Sequence, residues 1–347
     1  MLKEINLSKR PNDRWSRREF LSTAALAGTG ALLGLQSNSL AAEPPPETTR
    51  IKLVATFPSI CRAPQYLAEE FLLGEGFTDV QYIKVKVSEG GADRLLASGQ
   101  ADITMQFVGP SIIQVDAGDP LVFLAGNLVG CFELFGTERV RTIRDLKGKT
   151  VYADVPGSSA RTFFVSMIAY VGLDPGKDIN WFMTPGANRT KLLAEGKIDA
   201  LMALPPLAQE LRDKKIGHVV VNTMMDRPWS QYFCCLVTGN REFIRRHPVA
   251  TKRAVRAILK ATDVFAREPE RMARFLVNKG YTERYDYALQ ALKEMPYKWR
   301  EYDPEDTIRF HALRLHELGM IKSSPQKIIA QGTDWRFLRE LKKELKT

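Results

Sequence analysis

The stretch Arg94–Asp102, RLLASGQAD, recurs 97 residues later as Lys191–Asp199, KLLAEGKID. Each copy has the pattern of an amphipathic helix that ends at a glycine, Gly99 or Gly196. An apolar strand follows each copy and stops at a proline, after which another helix is predicted. The repetition predicts a chain built from two copies of one α/β unit.

A second pair of segments repeats at nearly the same spacing. Ala55–Ala68, ATFPSICRAPQYLA, aligns with Ala153–Ser166, ADVPGSSARTFFVS, so that Pro58 matches Pro156. In both segments a strand is predicted to stop at the proline and a helix to follow. The alternation of strands and helices predicts an α/β fold with two lobes, each a mostly parallel sheet flanked by helices.

The predicted lobes are joined by a hinge of two crossing strands. One strand leaves the first lobe near Gly136 and the other returns near Gly239, and the chain beyond is largely helical. We expect Glu138–Arg141 and Val237–Asn240 to flank the two crossings, and we expect the helical tail to pack back on the first lobe. The predicted parts are a linker at 42–50, a first lobe of 51–137 with 241–347, and a second lobe of 138–240.

The N-terminus has the pattern of an export signal. Arg17 and Arg18 precede a mildly apolar run, and small residues at Ser39 and Ala41 suit a cleavage site. This pattern predicts a twin-arginine signal peptide at 1–41, a location in the periplasm and the twin-arginine translocase as a partner. A membrane helix is the weaker interpretation, because the run is short and contains Gly, Ser and Thr.

Charge and cysteine content limit the function classes. The chain of 347 residues carries a formal charge of +10, but its positive charge lies mostly in late helices without interleaved aromatic residues, so we expect no nucleic-acid partner. The four cysteines show no CxxC or zinc-site spacing, and we interpret them as buried thiols. We expect no metal, no cofactor and a monomer.

The ends of the predicted strands supply the candidate site. In open α/β sheets, ligands bind beyond the carboxyl ends of the strands, and the repeat places two such loops from each lobe at one cleft. This segment alone favours an ordinary helix cap, but with the repeat we expect 157–159 to form one wall at the start of a helix that buries Phe163, Met167 and Val171. The arginines favour an anion and the aromatic residues suit a ring. The candidate ligand-binding residues are Phe57, Ser59, Cys61, Arg62, Phe107, Pro110, Ser111, Gly157, Ser158, Ser159, Arg161, Pro205, Trp229 and Tyr232.

The order of these motifs resembles a known family. LASGQADI, DLKGKTVYADVPGSSA, LAEGKIDALMALPP and the later REFIRRHPVATKRAVRAILKA are similar to segments of periplasmic substrate-binding proteins of ABC importers. The similar group is the NMT1/THI5-like one, whose members bind nitrate, sulfonates, taurine or thiamine precursors. The resemblance implies a protein that closes on a small ligand and presents it to an ABC permease. The implied ligand classes are sulfonates, nitrate-like anions and pyrimidines.

The same group contains an enzyme branch that makes a pyrimidine precursor with a cysteine-rich iron motif and an active-site histidine. QYFCCLV, residues 231–237, is similar to that motif only through Cys234 and Cys235, and no histidine lies on the predicted cleft loops. We therefore expect a binding protein rather than an enzyme, with the enzyme of the same fold as the alternative.

Overall fold

The computed structural model describes residues 43–55, 60–85, 91–153, 158–184 and 186–346. The predicted signal peptide lies outside these residues. Within them, ten strands form two sheets of five. In chain order the strands β1 to β10 are Arg50–Ala55, Asp79–Lys84, Ile103–Phe107, Leu121–Val129, Glu133–Gly136, Thr150–Tyr152, Asn180–Phe182, Ala200–Ala203, His218–Asn222 and Phe233–Asn240.

The two sheets have the same plan, as the repeat predicted. The strand order is β2-β1-β3-β10-β4 in the first sheet and β7-β6-β8-β5-β9 in the second. β1 is parallel to β2 and β3, and β6 is parallel to β7 and β8. β10 and β5 run antiparallel to both of their neighbours. Each sheet is therefore mostly parallel with one antiparallel strand, because that strand enters from the other half of the chain.

Thirteen helices flank these sheets within the described residues. They are labelled α1 to α13 in chain order: Pro64–Leu72, Gly91–Ala97, Val108–Asp116, Ser159–Tyr170, Arg189–Ala194, Leu207–Asp213, Arg241–Arg246, Pro248–Arg267, Pro269–Asn278, Tyr285–Glu294, Pro304–Glu317, Pro325–Gly332 and Arg336–Glu344. None of the helices in the described part of the chain combines the length and apolar character needed to cross a membrane.

The aspartate that ends each copy of the repeat has the same structural role in both lobes. Asp102 accepts a hydrogen bond from the Lys52 amide at 2.7 Å, and Asp199 accepts one from the Thr150 amide at 2.8 Å. Both carboxylates are buried. In the first lobe the motif therefore attaches the turn that precedes β3 to the neighbouring strand β1. In the second lobe it attaches the turn that precedes β8 to the neighbouring strand β6.

We expect Asp102→Ala and Asp199→Ala each to lower the free energy of unfolding by about 1–3 kcal/mol, because each leaves a buried amide without its acceptor. Asp102→Asn and Asp199→Asn are the matched controls, since an amide oxygen can still accept and the loss should be smaller. Urea unfolding measures all four. Alanine variants as stable as the unchanged protein would contradict this role.

The two crossings between lobes lie a few residues before the predicted hinge positions. β5 already belongs to the second sheet and β10 to the first, so the chain crosses at 130–132 and again at 223–232. The segments predicted to flank the crossings, Glu138–Arg141 and Val237–Asn240, lie a few residues beyond them, because each crossing strand pairs within the lobe that it enters. The division into 51–137 with 241–347 and 138–240 as rigid units stays a prediction.

Thr223 fastens the two crossings side by side. Its hydroxyl donates to the Phe132 carbonyl at 2.7 Å and accepts from the amides of Phe132 and Cys131 at 2.9 and 3.2 Å. Gly130 has φ +53°, and a Cβ there would lie 2.3 Å from the Thr223 carbonyl oxygen. Glycine is therefore required where the crossings touch.

The helical tail packs on the first lobe, as expected, and also reaches the second. α8 lies against α1, where Glu75 bonds Arg256 at 2.6 Å and Lys260 at 2.9 Å. α10 meets α6 of the second lobe, with the Tyr287 hydroxyl donating to Asp213 at 2.7 Å. α11 contacts both α3 and α4. The tail therefore spans the cleft between the lobes.

Candidate functional site

A pocket lies between the lobes where α3, α4 and α11 meet. The first lobe contributes the end of β3, the start of α3 and Cys234 at the start of β10, the second lobe contributes α4, and the first crossing contributes Phe132. The lining residues are Phe107, Val108, Gly109, Pro110, Phe132, Ser159, Thr162, Phe163, Ser166, Cys234, His311 and Leu315. The strand-end loops thus meet a helix of the tail at this pocket.

Three of the predicted site residues line this pocket, namely Phe107, Pro110 and Ser159. Phe57, Ser59 and Gly157 lie outside the described residues. Cys61 is fully buried, and Pro205 is buried at the end of β8. The Ser111 hydroxyl lies 2.6 Å from a carboxylate oxygen of Asp93 and is therefore turned into a buried polar network.

The two predicted arginines are engaged elsewhere. Arg161 lies over the ring of Trp181, with its guanidinium carbon 4.3 Å from the ring centroid. Arg62 donates to Gln106 at 3.2 Å, and its guanidinium carbon lies 5.2 Å from the centroid of Phe107, a ring that lines the pocket. Trp229 and Tyr232 both pack on Phe310, with Tyr232 stacked on it at 4.0 Å. They support the pocket rather than line it.

The two serines of the predicted wall at 157–159 have different positions. The Ser158 hydroxyl oxygen caps α4 and accepts a hydrogen bond from the Arg161 amide at 3.3 Å. Ser159, the first residue of the helix, lines the pocket. The helix-cap interpretation therefore applies to Ser158, and the ligand interpretation stays open for Ser159.

We expect Ser158→Ala to lower the free energy of unfolding by about 1 kcal/mol, because it removes the side-chain acceptor at the helix N-terminus. Ser159→Ala is the matched control and should cost less stability. Thermal melting of the two variants compares them directly. Equal melting temperatures would show that the cap contributes nothing.

Aromatic rings form the walls of the pocket. Phe132 stacks on Phe163 with ring centroids 5.3 Å apart and contacts Phe107 at 5.6 Å. His311 lies 5.8 Å from Phe163. Hydroxyl groups of Ser159, Thr162 and Ser166 complete the lining. The arrangement can stack a ring and hydrogen-bond its polar edge.

His311 is uncharged in this environment. Burial lowers the pKa of its imidazole from 6.5 to about 4, because desolvation disfavours the charged form. At neutral pH one ring nitrogen donates and the other accepts. Among the described lining residues, none then carries a charged side chain, so the pocket offers polarity without charge.

The lobes touch at the mouth of the pocket. A Cβ on Gly109 would lie 2.9 Å from the Thr162 Cγ2 atom, so only glycine allows α3 to approach α4 this closely. The cavity has a volume of about 10 Å³, which is the space of about one water molecule. A ring-sized ligand therefore requires the lobes to part before it enters, and the lining side chains to move apart around it when the lobes close.

Sequence reasoning missed much of this lining. His311 is on α11, far along the chain from the strand-end loops, and no local motif marks it. The expected buried stripe of Phe163, Met167 and Val171 is only partly correct. Met167 is fully buried, but Phe163 and Val171 are partly exposed, and Phe164 is buried beside Met167. Phe163 lines the pocket because α4 turns that face to the cleft.

Three sulfur atoms near the pocket form the set of donors best suited to a metal among the described residues. The sulfurs of Cys131, Cys234 and Cys235 lie within 4.8 Å of one another and are buried. They come from both crossings rather than from one cysteine-rich segment. Four thiolates around a zinc ion, each at about 2.3 Å, lie about 3.8 Å apart. The Cys131 and Cys234 sulfurs are only 2.7 Å apart, so the cluster does not fit a metal as it stands.

Comparison with known proteins supports the fold and the family. The NMT1-like family matches residues 45–276. The nitrate-binding protein NrtA from Synechocystis PCC 6803 superposes with a TM-score of 0.70 at 17% identity, covering 87% of this chain and 90% of that one. The alkanesulfonate-binding protein SsuA from Xanthomonas axonopodis pv. citri, bound to MOPS, gives 0.65 at 17% identity, covering 85% and 100%.

A curated relative carries an enzyme name. The 4-amino-5-hydroxymethyl-2-methylpyrimidine phosphate synthase THI5 of Saccharomyces cerevisiae is 25% identical over 218 residues. The match covers 59% of this chain and 61% of that protein, so the chain spans less than two thirds of the relative's length. The family predicted from the motifs is confirmed: this chain belongs to the NMT1-like family and has the two-lobed fold of periplasmic binding proteins.

Proposed function

We propose that this chain is an exported solute-binding protein that closes on a small heteroaromatic ligand between its lobes. It then delivers the ligand to the permease of an ABC importer. The uncharged aromatic lining carries this proposal, since Phe132, Phe163 and His311 suit a ring with hydrogen-bonding edges. Of the two ligand classes that the sequence suggested, this lining favours the ring over an inorganic anion.

Melting the protein with three compounds tests the ligand class. We expect 4-amino-5-hydroxymethyl-2-methylpyrimidine to raise the melting temperature, because a bound ligand stabilises the folded state by mass action. Nitrate and MOPS, which are named with the structurally similar binding proteins, should leave the melting temperature unchanged. Ser159→Ala should weaken binding of the pyrimidine about fivefold, the equivalent of one hydrogen bond of about 1 kcal/mol. Stabilisation by nitrate or MOPS alone would overturn the proposed ligand class.

Export through the twin-arginine route is part of the proposal. Arg17→Lys with Arg18→Lys should leave the precursor unprocessed in the cytoplasm, because the translocase reads the paired guanidinium groups. Arg14→Lys is the matched control and should be exported normally. Fractionation followed by immunoblotting measures both. Normal processing of the double variant would show that another route is used.

An enzyme of the same fold is the second candidate. It is favoured by the relatives named as synthases and by His311, which faces the pocket beside Cys234. The two candidates differ in what happens to the ligand. A binding protein returns its ligand chemically unchanged, as mass spectrometry of the recovered compound would show, whereas turnover with added iron would indicate the enzyme.

A further inference from the structure

Three of the four cysteines of the chain, Cys131 and the neighbouring pair Cys234 and Cys235, meet beside the crossings between the lobes. Cys131 lies on the first crossing, and Cys234 and Cys235 lie at the start of β10, where the second crossing ends. The Cys234 sulfur is 2.7 Å from that of Cys131 and 3.3 Å from that of Cys235. The cysteine cluster therefore lies where the two segments that join the lobes pass each other.

The position of the closest pair has a topological consequence. β4 of the first sheet ends at Val129 and β10 returns to that sheet at Phe233. Cys131 and Cys234 are 103 positions apart, and the intervening chain contains every strand of the second sheet. A bond between these two sulfurs would close the whole second lobe into a loop at its base.

We propose that Cys131 and Cys234 are a redox-active pair, and that their disulfide ties the two crossings together. Thr223 already holds the crossings in contact through both backbone groups of Phe132. The backbone around the pair is therefore ordered for a bridge before the bond forms. A loop of this length gives a large stabilisation, because closing it restricts the unfolded chain.

Cys131 also contacts the sulfurs of Cys235 and Cys61, but its 2.7 Å contact with the Cys234 sulfur is shorter than the 3.3 Å contact between Cys234 and Cys235. Cys234 and Cys235 are neighbours in sequence, so their Cα atoms lie about 3.8 Å apart, whereas disulfides span about 4.4–6.8 Å. A metal ion requires sulfurs about 3.8 Å apart, and the Cys131–Cys234 pair is closer by about 1 Å. Bond formation between Cys131 and Cys234 is the chemistry that the geometry favours.

The reaction is an exchange with a low-molecular-weight disulfide such as oxidised glutathione. Cys234 lines the pocket between the lobes, and Cys131 is fully buried behind it, so the oxidant reaches Cys234 when the lobes part. The Cys234 sulfur attacks the oxidant, forms a mixed disulfide and releases one glutathione thiolate. The Cys131 sulfur then attacks Cys234 and releases the second. Two protein thiols are oxidised, one glutathione disulfide is reduced, and the two protons leave on the glutathione thiols.

Mass spectrometry of the full chain tests the proposal. Reduced protein is incubated with excess oxidised glutathione, unfolded in iodoacetamide and digested. We expect two of the four cysteines to escape alkylation, a peptide pair linked through Cys131 and Cys234, and a melting temperature several degrees above that of the reduced protein. Cys61→Ser is the matched control, a buried cysteine outside the pair, and should keep the bridge. Cys131→Ser and Cys234→Ser should each lose it.

The decisive measurements use the unchanged protein, so the proposal can be refuted even if a variant misfolds. Four alkylated cysteines after oxidation would refute the bridge. A bridge from Cys131 to Cys235 or to Cys61, or a bridge between Cys234 and Cys235, located by fragmenting the linked peptides, would also refute the assignment. A native mass increased by one metal ion that blocks alkylation would show a metal site instead. None of these results bears on the ligand, so the proposed function is tested separately.

Discussion

Between pH 6.5 and pH 4, His311 should lower the free energy of unfolding by roughly 3 kcal/mol, and the variant His311→Gln should lack this decrease. Burial lowers the pKa of His311 to about 4 in the folded state, whereas the imidazole of an unfolded chain titrates near 6.5. The unfolded chain therefore binds the proton first as the pH falls. The contribution of neutral His311 to stability is fully present above pH 6.5. Below that pH it falls by about 1.4 kcal/mol per pH unit until the folded protein is protonated near pH 4.

Urea unfolding at several pH values measures this effect. His316→Gln is the matched control, because His316 lies on the same helix but is exposed, and it should leave the pH dependence unchanged. The comparison uses the slope of stability against pH, so a constant packing loss in His311→Gln does not matter. The same acid dependence in the glutamine variant and the unchanged protein would contradict a buried, neutral His311.

Replacing Gly109 with valine should weaken ligand binding by about 10- to 100-fold. A Cβ at this position would lie 2.9 Å from the Thr162 Cγ2 atom across the cleft, and overfilling a packed contact costs about 1–3 kcal/mol. Because the contact joins α3 of one lobe to α4 of the other, the cost falls on the closed state. The open state should be nearly unaffected.

A second substitution makes this prediction specific. Thr162→Ser removes the methyl group that the new side chain would meet and keeps the hydroxyl. We expect Gly109→Val with Thr162→Ser to recover much of the affinity, and Thr162→Ser alone to change it little. Calorimetry with the aminopyrimidine gives all four values. Equal loss of affinity in the single and double variants would show that the contact does not govern closure.

The repeat explains why so much of the fold could be predicted. The glycine and aspartate of each copy occupy equivalent turns, and the equivalent hydrogen bonds of Asp102 and Asp199 show that the resemblance is structural. The observed crossings lie a few residues before their predicted positions. A strand that changes lobes has the same sequence pattern whichever sheet it joins. Pairing partners, which lie far away along the chain, decide that choice.

The candidate site was less predictable. Phe107, Pro110 and Ser159 follow strand ends, so the topology alone placed them at the pocket. His311 and the cysteine cluster depend on how the tail crosses the cleft and how the crossings pass each other. Those contacts are set by long-range packing, which leaves no spacing pattern in the sequence. Single residues such as Cys131 and Cys234 therefore looked like ordinary buried thiols.

The distance between the lobes with and without ligand tests the central claim most directly. Spin labels at Gln100→Cys on the first lobe and Lys177→Cys on the second, both exposed sites, report it in a chain whose four native cysteines are replaced by serine, because parted lobes would expose Cys234 to the labelling reagent. We predict a broad distribution without ligand that becomes narrow and shorter when the aminopyrimidine is added, and we predict no such change in Gly109→Val. An unchanged distribution at a concentration that calorimetry shows to saturate the protein would contradict closure of the lobes on a ligand.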